Sequence, residues 1–155
     1  MAKRSAGILV YRRRSGTVEV LLVHPGGPYW VRKDAGAWTI PKGEIGEAED
    51  ALVAARRELH EETGLDLEGE FVPLAPIRQR SGKMVLAWAI EGDCDAATVT
   101  SNTFSMEWPP KSGQQQDFPE VDRAAWFTIP EARGKILAAQ APLLDELESA
   151  LEGLP

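Results

Sequence analysis

The stretch that most constrains this chain runs from Gly43 to Leu65 and reads GEIGEAEDALVAARRELHEETGL. At about 100° per residue, Glu58, Glu61 and Glu62 fall at i, i+3 and i+4 and share one face of a helix. Like charges so placed repel by about 0.2–0.5 kcal/mol per exposed pair, and a helix that needed only to be soluble would interleave lysines. Clustered carboxylate oxygens suit hard divalent cations, Mg²⁺ being held by carboxylates together with substrate phosphates. On the helix alone, a solvated acidic end competes with that reading. Ala51 and Ala54 lie on the acidic stripe and leave room beside the carboxylates. Leu52, Ala55 and Leu59 form an adjacent apolar stripe suited to packing on a sheet. Gly64 is the expected helix stop, with Leu65 folding back over the last turn. Upstream, Trp38 to Gly43 reads as a short strand running into a turn.

These residues resemble the signature of Nudix hydrolases, G-x5-E-x7-R-E-U-x-E-E-x-G-U with U aliphatic. Gly43, Glu49, Arg57, Glu58, Leu59, Glu61, Glu62, Gly64 and Leu65 occupy every specified position. The approach Trp38-Thr39-Ile40-Pro41-Lys42-Gly43 is also similar to that of many members. The resemblance implies a metal-dependent hydrolase, with Mg²⁺ or Mn²⁺ as cofactor. Its substrate would be a nucleoside diphosphate linked to a further group X, cleaved at the pyrophosphate. Nucleoside triphosphates, dinucleoside polyphosphates and ADP-ribose all qualify. It further implies Glu61 and Glu62 as metal ligands beside the carbonyl of Lys42, and Glu58 as a ligand or as holder of the attacking water. Arg57 would orient a glutamate such as Glu49. Gly43, Glu49 and Gly64 would be structural, Gly43 permitting a tight turn. A nucleotide-sensing module of the same family, without turnover, is the alternative; such modules often lose box carboxylates, and here all are present.

The rest of the chain sets bounds. A length of 155 residues suits one domain spanning 1–155 with a real core. A composition 43% hydrophobic and 26% charged argues against disorder. The net charge of −7 disfavours a nucleic-acid polymer as ligand, because a phosphate-tracking groove needs clustered cations. A single cysteine, Cys94, rules out an intrachain disulfide and points to a reducing cytosol. No run approaches the ~20 apolar residues of a membrane helix.

In order, Ser5–Arg12 and Thr17–Val23 read as strands about a turn at Arg14-Ser15-Gly16, with Gly7 to Val10 central and buried. Arg12, Arg13 and Arg14 read as solvated hairpin charge. The Gly- and Pro-rich loop from His24 to Ala37 carries Tyr29, Trp30, Arg32 and Lys33. Trp30 and Lys33 are candidates to stack a base and meet phosphates, though aromatics there also serve to pin a loop. His24 and His60 have no partner at ligand spacing, so a catalytic histidine is disfavoured. Phe71–Gln79 and Met84–Glu91 read as a strand pair, the second covered on both faces; Ser101–Trp108 reads as another strand. Trp108 to Asp117 reads as a loop bordering the site, where Lys111 is either a phosphate contact or a solvated lysine. A strand over Asp122–Thr128 leads into a helix beginning at Pro130. Glu120, six residues before Trp126, is the candidate for the further catalytic or metal-binding carboxylate that family members place there; Glu107 is the second choice. Leu143, Leu144, Leu147 and Leu151 form one face of an amphipathic C-terminal helix, as core or as a dimer contact, which leaves monomer and homodimer open. The element order predicts an α+β fold with a mixed sheet, in agreement with the α/β/α sandwich that the resemblance implies.

Overall fold

A computed structural model describes residues 4–152. Strands β1 (Arg4–Arg14) and β2 (Thr17–Pro25) form a hairpin whose turn residues, Ser15 and Gly16, both have positive φ. That conformation matches the right-handed twist of the flanking strands. The short β3 (Lys42–Glu44) pairs antiparallel with the start of β1 and leads towards helix α1 (Ala51–Thr63). Asp50 caps α1 by accepting from the amides of Leu52 and Val53, and Gly64 ends it in the left-handed conformation expected of it.

Phe71–Gln79 does not form one strand. It makes two short pieces, β4 (Val72–Pro73) and β5 (Ile77–Arg78), because Pro73 and Pro76 interrupt the ladder. Both pair with β6 (Met84–Glu91), which runs parallel to β1. The sheet order is β4-β6-β1-β2, followed by β9 (Val121–Thr128, described below), with β3 on β1 and β5 on β6. The sheet is therefore mixed, and β1 is central as expected. One face of β6 is sealed by Val85, Ala87 and Ala89, whereas Leu86 and Trp88 on the other are only half-buried. This corrects the expectation of full cover on both faces.

Between β6 and β9 stands a separate two-stranded sheet, β7 (Thr103–Glu107) with β8 (Gln115–Pro119). The polar run Gln114 to Asp117, expected to be loop, is mostly strand. Its side chains are exposed, and the pairing Phe104↔Phe118 supplies the apolar contact that the glutamines do not. Thr128 and Glu131 form a capping box at the start of α2 (Ile129–Lys135), with Pro130 in its first turn. Helix α3 (Pro142–Glu152) closes the described chain.

Period-two alternation divides the core between the two faces of the sheet. Leu9 and Tyr11 of β1, with Val20 and Leu22 of β2, pack towards α2 and α3 and meet Ile129, Leu143, Leu144 and Leu147. Ala6, Ile8, Val10 and Leu21 point the other way, onto Ala54, Ala55 and Leu59 of α1. The result is an α/β/α sandwich. Each fully buried leucine contributes about 1.5–3 kcal/mol. Ala54 is fully buried in this layer and does not leave space beside the carboxylates as expected. Its small side chain lets α1 lie close on β1. Arg12 is likewise not solvated: it stacks 4.1 Å over Trp126 and pairs with Glu19 and Asp93, each at 2.8 Å. Among the described residues no helix is long and apolar enough to cross a membrane.

Candidate active site

The last two turns of α1 face β3, and this juxtaposition assembles the site. Gly43 has no positive φ; it pairs with Ala6 in β3, so the tight-turn role expected for it does not apply. Its missing side chain matters instead, because a methyl group there would overlap the carboxyl carbon and both oxygens of Glu58. The backbone N–H of the neighbouring residue, Lys42, faces Glu62 and favours its charged form. Glu58 and Glu62 thus come from one helix face to two adjacent backbone positions.

Arg57 organises the surrounding carboxylates. Its Nε and Nη2 form a bidentate pair with Glu49 at 2.9 and 3.0 Å, and Nη1 donates to Glu58 at 2.8 Å and to Glu61 at 3.2 Å. Nη2 also reaches the carbonyl of Glu44 at 3.1 Å. Planar forked geometry is what permits one guanidinium to serve three carboxylates. Arg57 together with the Gly46 amide lowers the pKa of Glu49 to about 2.

The long-range surprise is how Glu120 arrives. The Asn102 amide donates to the Glu61 carbonyl at 2.8 Å, the Glu120 amide to Asn102 at 2.8 Å, and the Gly26 amide to the Glu120 carbonyl at 2.9 Å. This backbone chain ties the end of α1 to the segment between β8 and β9, and that segment to the loop after β2. It places Glu120 with Glu62 and Lys42 in one cleft of about 130 Å³, whose other walls are Val23, Pro25, Thr39 and Val121. A side chain at Gly26 would overlap the Pro119 carbonyl, so glycine is required at that crossing. Nothing local in the sequence signals this.

The electrostatics follow from crowding. Burial, then the charges of Glu58 and Glu120, push Glu62 up to about 8 against the pull of Lys42. Glu58 is raised by burial and by Glu61 and Glu120, with Arg57 opposing. Glu120 is raised by burial and by Glu61. Burial, followed by the nearby charge of Lys83, lowers Lys42.

Other expected residues are dispersed. Lys33 stacks over Trp30 at 4.9 Å, while Tyr29 meets Trp108 edge-on at 5.3 Å, joining the loop after β2 to the β7–β8 hairpin. Lys111 is exposed at the hairpin tip and outside the cleft. Glu107 accepts from the amides of Lys111 and Gly113 and so closes the hairpin turn; it does not line the cleft. His60 is exposed. His24, which has no sequence-local partner, is fully buried and bonded at both ring nitrogens.

Among the described residues no three His, Cys, Asp or Glu side chains already form a cation cage, since Arg57 draws Glu58 and Glu61 to itself. The donor set nonetheless fits a hard divalent ion: hard carboxylate oxygens crowded together, among them the half-buried Glu62 with its raised proton affinity.

The sequence profile of the NUDIX domain matches residues 1–147, and the chain belongs to that family. It is 49% identical over 53 residues to an RNA pyrophosphohydrolase of Caulobacter vibrioides, a match covering 31% of this chain and 31% of that relative. To the RNA pyrophosphohydrolase of Rhizobium meliloti it is 27% identical over 132 residues, covering 76% of this chain and 74% of the relative. The crystal structure of a Caenorhabditis elegans Ap4A hydrolase binary complex superposes with a TM-score of 0.69 at 23% identity, covering 97% of this chain and 99% of that one. That likeness establishes the Nudix sandwich.

Proposed function

We propose that the protein is a divalent-cation-dependent hydrolase of the pyrophosphate bond in a nucleoside diphosphate linked to a further group. The carrying observation is the convergence of Glu62 and Glu120 on Lys42, with Glu58 against Gly43, at the end of a complete signature. The names of the relatives bring RNA and dinucleoside polyphosphates into range alongside nucleoside triphosphates and ADP-ribose; the net charge of −7 weighs against long RNA. In this reading residues 1–155 act as one domain in a reducing cytosol.

Glu58, Glu61 and Glu62, with the carbonyl of Lys42, would hold Mg²⁺ or Mn²⁺, which when bound supplies neutralisation of the phosphate oxygens that otherwise repel an attacking water. The chain does the remainder. Arg57 keeps Glu58 and Glu61 aligned, Glu49 holding it in place from the other side. Glu120, an exposed carboxylate whose proton affinity is raised by partial desolvation and by the charge of Glu61, is the candidate acceptor of the proton that water loses as it attacks phosphorus. Trp30 and Lys33 offer a ring face and an ammonium to base and phosphate. The products are a nucleoside monophosphate and the phosphorylated remainder.

The test is turnover with Mg²⁺ across nucleoside triphosphates, dinucleoside polyphosphates, ADP-ribose, nucleotide sugars and triphosphorylated RNA, with products resolved by chromatography. Glu61→Gln should abolish turnover while leaving the thermal unfolding curve in place. Full activity of that variant on a substrate the wild type cleaves overturns the ligand assignment.

A further inference from the structure

His24 lies near the end of β2 with no exposed surface. Its Nδ1 is 2.9 Å from Asp122 Oδ1 on β9, and its Nε2 is 2.6 Å from the backbone carbonyl of Lys33. A carbonyl only accepts, and so does an ionised carboxylate. The Nε2 hydrogen therefore goes to the Lys33 carbonyl, and one further hydrogen lies between Nδ1 and Asp122 Oδ1.

The ring is packed among groups that are themselves paired. Arg123, the cross-strand partner of His24, stacks 5.1 Å over Trp38 and lies 3.9 Å from Asp122. Trp38 meets the His24 ring edge-on at 5.1 Å and donates through Nε1 to Asp34, which pairs with Lys135. The Lys33 ammonium is engaged with Trp30. Asp122 is thus the carboxylate facing the imidazole among the described residues.

The two bonds of His24 reach different elements. One holds the loop after β2 at Lys33; the other holds β9 two residues beyond Glu120. The same loop is fixed at its opposite end by the bond from Gly26 to the Glu120 carbonyl. We propose that His24 is a positioning residue which, bonded at both ring nitrogens, locks the Gly26–Lys33 loop, with its Trp30–Lys33 pair, onto β9 beside Glu120. That the loop grips substrate rests on the function proposed above; the lock itself does not.

His24→Gln keeps a donor for the Lys33 carbonyl but sets its own amide oxygen against Asp122. Adding Asp122→Asn supplies an N–H to that oxygen and restores the second bond. For a cleaved nucleotide the single variant should raise KM about tenfold with kcat changed by less than about threefold, and the double variant should recover most of the loss. Amide hydrogen exchange over residues 27–33 should accelerate in the single variant and return towards wild type in the double. In the wild type, NMR should show the Nε2–H proton of His24 protected from exchange with solvent. A lower melting temperature with unchanged KM and no rescue would mean a purely structural histidine and overturn the proposal. Unaltered loop exchange, or a rapidly exchanging ring N–H, would overturn it equally. If no substrate is cleaved, exchange and NMR still decide on the lock, so its failure and that of the proposed activity are separable.

Discussion

Replacing Gly43 with alanine inserts a methyl group into the space of the Glu58 carboxylate, which is 11% exposed. The backbone at Gly43 has ordinary φ, so the substitution carries no conformational strain of its own. Its whole effect falls on Glu58. To regain van der Waals separation the carboxylate must retreat by roughly 1 Å. That movement breaks or lengthens the 2.8 Å bond to Arg57 Nη1, a charge-assisted bond of about 1.5–3 kcal/mol. A 1 Å misplacement of a reacting group costs about 100-fold, or about 2.7 kcal/mol of activation free energy. Gly43→Ala should therefore lower kcat about 100-fold and destabilise the fold by about 1–3 kcal/mol, read by steady-state kinetics and urea denaturation. The decisive control is a double-mutant cycle: in a Glu58→Ala background the stability cost of Gly43→Ala should largely vanish. Equal cost in both backgrounds, or a single variant within twofold of wild type, would refute the close approach of Gly43 and Glu58 as the reason for glycine.

Two further outcomes follow from charge. In chelator, Glu62 has a folded pKa raised to about 8 by burial and by Glu58 and Glu120, above the ordinary carboxylate value of 4.5. The folded state then holds a proton that the unfolded chain has released, so stability falls as pH rises from 4.5 to about 8, by up to about 1.4 kcal/mol per unit, and levels off above. Glu62→Gln should flatten that slope in urea titrations; a slope unchanged by the variant would place the proton elsewhere. Glu49 behaves oppositely: Arg57 depresses its pKa to about 2, so its contribution is present above 4.5 and lost as pH falls towards 2. Arg57→Lys, which cannot pair bidentately, should raise the Glu49 pKa towards 4.5 by NMR titration and reduce kcat by tenfold or more. A Glu49 titration still near 2 would show that the Gly46 amide alone suffices.

How much of this was legible beforehand depends on the range of the interaction. The spacing of Glu58, Glu61 and Glu62 predicts a shared helix face, and α1 carries them on one. The glycine stop at Gly64, the proline in the first turn of α2 and the leucine face of α3 are equally local and appear where expected. Gln115–Pro119 shows the converse. Its polarity reads as loop, and only pairing with Thr103–Glu107 makes it a strand. Gly26 and His24 look like ordinary residues of a Gly- and Pro-rich loop entry, because Pro119 and Asp122, which explain them, lie about a hundred positions away.

By itself, then, the sequence determined the helix with its carboxylates, the central buried strand and the family signature, since helical periodicity and strand alternation are written within a few consecutive residues. The tertiary structure alone decided that Gly43 yields its space to Glu58, that Glu120 joins Glu62 and Lys42 in a cleft, and that His24 ties a loop to β9. These depend on the register between β2 and β9 and on single backbone bonds across loops. No tight turn joins β2 to β9, so their register follows from matching the buried faces of two strands far apart in the chain.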